Sequence, residues 1–104
     1  MKLIVKATSL EITPALNDYL VNKLSSLSKF VRRWETAGEI EVRIELGRTT
    51  RHHRRGNIYR AEVDLCLPEK LLRAEASEPD IRMAVDRVKD KLQQGIKKYK
   101  ELRR

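Results

Sequence analysis

A single cysteine, Cys66, leaves the 104-residue chain with no means of forming an internal disulfide. That usage fits a reducing compartment and predicts a cytoplasmic protein. The only histidines, His52 and His53, are adjacent in an arginine-rich stretch. Guanidinium charge there opposes a metal cation, and no second Cys/His group completes a site. Aromatic residues make up 5% of the chain, too few for the exposed Trp/Phe face of a membrane-surface helix. No apolar run reaches membrane length, and MKLIVKATSL lacks the apolar centre of a secretory signal. Phosphate-binding glycine loops and nucleophile motifs are missing as well. The expectation is a chain without catalysis, cofactor, metal or small-molecule substrate. With no repeat, linker or low-complexity segment, residues 1–104 read as one domain.

Positive charge is abundant. The chain has 23 Lys/Arg against 15 Asp/Glu, a net of +8. Most of it lies in two places. The segment from Gly47 to Asn57 carries Arg48, Arg51, Arg54 and Arg55 and no acid. The stretch from Lys89 to Arg104 carries seven Lys/Arg against Asp90 and Glu101. Charge gathered this way suits a polyanion, nucleic acid first, because neutralised phosphates release counterions without any sequence being read.

Apolar spacing supplies the architecture. Lys2 to Ala7 reads as a strand, apolar nearly throughout, which predicts an interior position or cover on both faces. Thr13-Pro14 is a helix start, and Leu16, Leu20, Leu24, Leu27 and Val31 form one helical stripe fading near Arg32–Trp34. From Glu39 to Leu46 apolar and charged residues alternate strictly, as in a half-exposed strand. Two more alternating strands follow, Tyr59 to Leu67 and Leu71 to Ala76, joined by Pro68-Glu69-Lys70. Ser77 followed by Asp80 resembles a capping box for a second helix running from about Pro79 past Tyr99. Gly95 interrupts that helix at a cost of about 1 kcal/mol against alanine. A helix between the first two strands demands a parallel crossover, and the remaining strands can form a meander. The predicted fold is α+β: a two-layer β-α-β-β-β-α domain, with both helices on one face of a four-stranded mixed sheet.

On a wheel of 100° per residue, Ile81, Val85, Val88, Leu92, Ile96 and Tyr99 share one sector of the second helix. Arg82, Lys89 and Lys100 line one flank, and Arg87, Lys91 and Lys98 the other. Asp86, Asp90 and Glu101 fall behind. The first helix adds Lys23 at its stripe's edge and Lys29 near its end, followed by Arg32 and Arg33. A flank sharing a groove with Lys23 makes a strip for a phosphate backbone, positioning a ligand rather than reading bases. The plain alternative is a solvated helix whose charged heads lie along apolar surface. The arginine-rich loop is either an arm against RNA or a soluble hairpin tip. Trp34 and Tyr59 are suited to stacking on bases or to packing.

The segments HHRRGNIYRAEVDLCLPEKLLRAEA and DIRMAVDRVKDKLQQGIKKYK, with EITPALNDYLVNKLSSLSKF before them, closely resemble the ribosome hibernation-promoting factor and ribosome-associated inhibitor family. The resemblance covers nearly the whole chain. It implies a fold similar to double-stranded RNA-binding domains. The chain is expected to be a monomer off the ribosome. It implies binding to the small ribosomal subunit and its RNA between head and body, which blocks translation in starved or stationary cells and preserves inactive ribosomes. Carried over by position, Lys23, Lys29, Lys91, Lys98 and Lys100 would face ribosomal RNA. Relatives often carry a lysine at the position of Ser26, an aromatic at Arg82 and Arg-Gln at Gln94-Gly95. Arg82, Arg87, Lys89 and Lys97 are the substitute basic groups in this chain. The family has short forms, and long forms with an added ribosome-pairing domain. Ending at Arg104, the chain has the length of a short form or of a long form's N-terminal domain. The rival reading from the residues is a general double-stranded RNA-binding module. A protein adaptor and an RNA-processing enzyme stand further off.

Overall fold

The computed structural model describes residues 1–49 and 58–102. Seven elements follow in chain order: β1 (Lys2–Thr8), α1 (Pro14–Ser25), α2 (Ser28–Glu35), β2 (Glu41–Thr49), β3 (Ile58–Leu67), β4 (Lys70–Glu78) and α3 (Ile81–Leu102). The sheet runs β1-β2-β3-β4, with β1 parallel to β2 and the other neighbours antiparallel. This is the expected α+β arrangement of one four-stranded mixed sheet with its helices on one side. The alternation seen in the sequence is the reason. Val42, Ile44 and Leu46 of β2 and Ala61, Val63 and Leu65 of β3 all turn to the same face. Helical residues Leu16, Leu20, Leu24, Val31, Val85, Val88, Leu92 and Ile96 close over them in one apolar cluster.

Four local expectations change. The apolar β1 lies at the sheet edge, not inside, and its residues alternate in burial. Ile4 is 37% exposed on the uncovered face, because all the helices lie against the other one. The single long first helix is two helices. After Ser25 the Ser26 hydroxyl donates to the Lys23 carbonyl at 2.6 Å, and the chain restarts at Ser28. Back-bonding of this kind bends helices. The bend keeps Leu27 and Val31 fully buried and aims Phe30 and Trp34 toward α3.

The cap of α3 is not the Ser77 pairing expected. Ser77 belongs to β4, opposite Arg60, and the Asp80 carboxylate instead accepts the Arg82 N–H at 2.7 Å. Finally, β2 continues to Thr49, so Arg48 stands on a strand end rather than in a loop. Arg51, Arg54, Arg55, His52 and His53 lie outside the described residues. The start of α1 is as read, with Thr13 Oγ1 accepting the Leu16 N–H at 3.1 Å.

Candidate nucleic-acid interface

Charge divides between the layers. The three helices carry eleven Lys/Arg against five Asp/Glu, a net of +6; the four strands carry seven against six, a net of +1. The helix layer is therefore the basic side of the molecule, and its chemistry concentrates along the seam where α1 and α2 meet α3.

At one end of the seam, the Tyr19 hydroxyl donates to Asp86, and Lys23 Nζ lies 3.4 Å from the same carboxylate. Arg82 sits over the Tyr19 ring at 5.0 Å and Lys23 at 5.7 Å. Burial and the neighbouring Asp86 push the Tyr19 phenol up to about 12. Asp86 thus faces α1, where the wheel had set it behind α3. The α1 helix packs on that flank of α3 and turns the back of an isolated helix into an interface.

At the other end, Lys29 Nζ lies 5.1 Å from the Phe30 ring centre, and Arg33 lies 4.9 Å from that of Trp34. Lys100 approaches both rings, at 6.0 and 5.6 Å. These are cation–π distances, favourable and open to water. Trp34 in turn leans on Tyr99 at 5.7 Å. Burial, and then the charge of Arg33, hold the Lys100 amine below its ordinary lysine value. Beside them a cleft of about 450 Å³ opens between Phe30 and α3, with Lys97 and Lys100 at its edge.

The nine predicted helix contacts are therefore not one cluster. Lys23, Lys29, Arg82, Lys89, Lys97 and Lys100 fall along the seam and the outer side of α3. Arg87 and Lys91 turn toward β4, and the exposed Lys98 follows seven residues beyond Lys91 on the same flank of the helix. There Arg87 pairs with Glu78 at 3.1 Å, and Lys91 donates to the Glu75 carbonyl at 2.7 Å. On the seam, Lys23 is partly neutralised by Asp86, while Lys89 donates to Gln93 Oε1 at 2.8 Å. Arg33 was missing from the predicted contacts. Its neighbours Lys29 and Trp34 were the available signal, but the bend before Ser28 was needed to set it beside Lys100. Cys66 is half-buried, and no group of three metal-ligating residues occurs among the described residues.

The family model for Sigma 54 modulation protein / S30EA ribosomal protein matches residues 3–104. The chain belongs to this family. It is a family of non-enzymatic ribosome-binding proteins. Among curated relatives, the ribosome hibernation promotion factor of Deinococcus radiodurans is 31% identical over 93 residues, covering 88% of this chain and 45% of the relative. Those of Lactococcus lactis and Picosynechococcus sp. are 29% and 26% identical over 102 residues, covering 96% and 97% of this chain. The chain spans about half the length of these two relatives, 50% in each case. The crystal structure of the Thermus thermophilus Protein Y N-terminal domain superposes with a TM-score of 0.77 at 29% identity, covering 95% of this chain and 99% of that one. A ribosomal subunit interface protein from Coxiella burnetii shares the fold, with a TM-score of 0.79 at 22% identity and coverage of 97% and 99%. No helix among the described residues is long and apolar enough to cross a membrane.

Proposed function

We propose that this chain is a ribosome hibernation factor that binds the small ribosomal subunit through its helix layer. It occupies the channel of messenger and transfer RNA and blocks translation sterically while preserving the inactive ribosome. The observation that carries this reading is the net +6 of the helices against +1 of the strands, in a member of a family whose relatives are named for ribosome hibernation.

Phosphate contacts hold the complex. Lys29, Lys97 and Lys100, with Arg33, form the principal grip, since they make no ion pair with an acid among the described residues. Lys23, Arg82 and Lys89 extend the strip along α3. Arg87, Lys91 and Lys98 form a second, weaker contact line beside β4, and the arginines at 48, 51, 54 and 55 add further RNA contacts. The protein works in the cytoplasm as a monomer off the ribosome, during starvation or stationary phase.

Co-sedimentation with purified small subunits over a salt series tests this. Replacing Lys29, Lys97 and Lys100 by alanine should lower binding and reduce the magnitude of the log–log salt slope by about 2 to 3, one phosphate contact per lysine. Unchanged sedimentation of the triple variant at raised salt would overturn the reading. Displacement of the chain from subunits by free duplex RNA would favour a general duplex-binding module instead.

A further inference from the structure

The cleft between Phe30 and α3 has more chemistry than a phosphate grip needs. Phe30 and Ile96 give it an apolar lining. Asp90, Gln93 and Gln94, and the two lysines Lys97 and Lys100, complete it. At about 450 Å³ it falls in the size range of small-ligand sites. The two lysines suit a phosphate, whereas Asp90 and Gln93 have the hydrogen-bonding groups of a base reader.

The Gln93 amide is already oriented. Lys89 Nζ donates to its Oε1 at 2.8 Å, which leaves the amide NH₂ as the available donor. Asp90, two positions before the buried Leu92, presents a carboxylate that is 71% exposed, with Lys89 Nζ 3.9 Å from its Oδ1. A double acceptor beside a donor complements an edge with two adjacent N–H donors and one carbonyl. Among the four RNA bases, that is the Watson–Crick edge of guanine. Adenine and cytosine offer the carboxylate a single amine, and uracil a single N–H between two carbonyls. Seven residues separate Asp90 from Lys97, a rise of about 10 Å along the helix. This is comparable to the reach of one nucleotide from base edge to phosphate.

We propose that this cleft holds a single unstacked guanine nucleotide of RNA, its base between Phe30 and the Asp90–Gln93 pair and its phosphate on Lys97 and Lys100. Single-stranded bases splayed onto aromatic side chains and read on their Watson–Crick edges are the common mode of sequence-dependent RNA recognition. The inference rests on the RNA-binding reading above and adds a base preference to it.

Nuclear magnetic resonance titration of the chain with the four ribonucleoside 5′-monophosphates and with inorganic phosphate tests it. Guanosine monophosphate should bind about tenfold more tightly than the other three, the worth of a charge-assisted hydrogen bond at an open site. It should shift the Gln93 side-chain amide. Asp90→Asn should abolish the preference, and Lys97→Ala should weaken all four nucleotides while keeping it. Equal binding of the four nucleotides, or inorganic phosphate competing as well as guanosine monophosphate, overturns the proposal. Two pentanucleotides, one of adenines only and one with a central guanine, separate the sources. Tighter binding of the guanine-containing strand than of the mononucleotide supports an RNA site, and the reverse order overturns it in favour of a free nucleotide. Sedimentation of the unaltered chain with small subunits reports on the wider reading alone. A chain that sediments without any guanine preference loses only the cleft assignment.

Discussion

The uncovered face of the sheet and the helix layer are both heavily charged, yet they differ in how charge is partnered. On the sheet face, Lys2, Lys6, Arg43, Arg60 and Arg73 share the surface with Glu41, Glu45, Glu62, Asp64 and Glu75. Arg43 binds Glu41 at 2.9 Å, Arg60 binds Glu62 at 3.0 Å and also Glu75, and Arg73 grips Asp64 through two nitrogens at 2.6 and 3.0 Å. The pleat imposes this: one residue in two faces the same way, and neighbouring strands set those residues side by side. In the helix layer the seam cations have aromatic rings for neighbours more often than carboxylates. A ring attracts a cation without cancelling its charge. The arginines of the first surface are matched by its own acids, whereas most cations of the second are not.

The largest expected effect tests that contrast. Alanine at Lys29, Lys97 and Lys100 should lower affinity for small ribosomal subunits about a hundredfold at moderate salt, on the counterion-release argument. Glutamine at Arg43, Arg60 and Arg73 should change that affinity by less than about threefold, since those charges are already matched. Equal losses from the two triple variants, in parallel sedimentation assays, would erase the distinction between the faces.

A stabilising change comes next. A Cβ added at Gly95 would meet only Leu72 Cδ1, at 3.9 Å, which is ordinary contact. Gly95→Ala should therefore raise unfolding free energy by about 1 kcal/mol, measured as a higher urea midpoint at constant slope. It acts on the helix that carries the basic surface while leaving the sheet face untouched.

The two ends of the pH scale separate the layers further. The Tyr19 phenol is raised from 10 to about 12, so its contribution is complete below pH 10 and fades as pH climbs toward 12. Against Tyr19→Phe, the unaltered chain should be more stable near neutrality, with the difference shrinking over that window. Phenolate absorbance should show Tyr19 titrating late. On the sheet face, the Arg73 guanidinium holds the Asp64 carboxyl below the usual carboxylate range. Its contribution is present above the ordinary value of 3.8 and is lost as pH falls through the lowered one. Asp64→Asn should cost at most about 1 kcal/mol at neutral pH, as exposed pairs do, and nothing in strong acid. Chemical denaturation at a few pH values checks both.

Much of this was legible in the linear chain. Period-two alternation over β2, β3 and β4 and the Thr13-Pro14 start identified the elements, because burial on one face writes itself into every second or every third-to-fourth residue. The edge position of β1 was not legible. Leu3, Ile4 and Val5 look alike as sequence, and the exposure of Ile4 depends on which face the helices choose. Nor was the division of α1 from α2, where a single hydroxyl outcompeted one backbone bond at Ser26. The acids misled for a related reason. A wheel describes one isolated helix, so it set Asp86 in solvent, where packing against α1 gave it Tyr19 and Lys23 as partners.

Composition and periodicity alone dictate a basic chain, a two-layer α+β fold and the assignment of eleven of the 23 cationic residues to helices, since these depend on residue type and local spacing. Which cations remain unmatched is a matter of distance between segments remote in the chain. Arg33 reaches Lys100 across a bend and a helix packing, and Arg87 meets Glu78 across a strand edge. Electrostatic energy depends on separation in space, and separation is known only once the chain has folded.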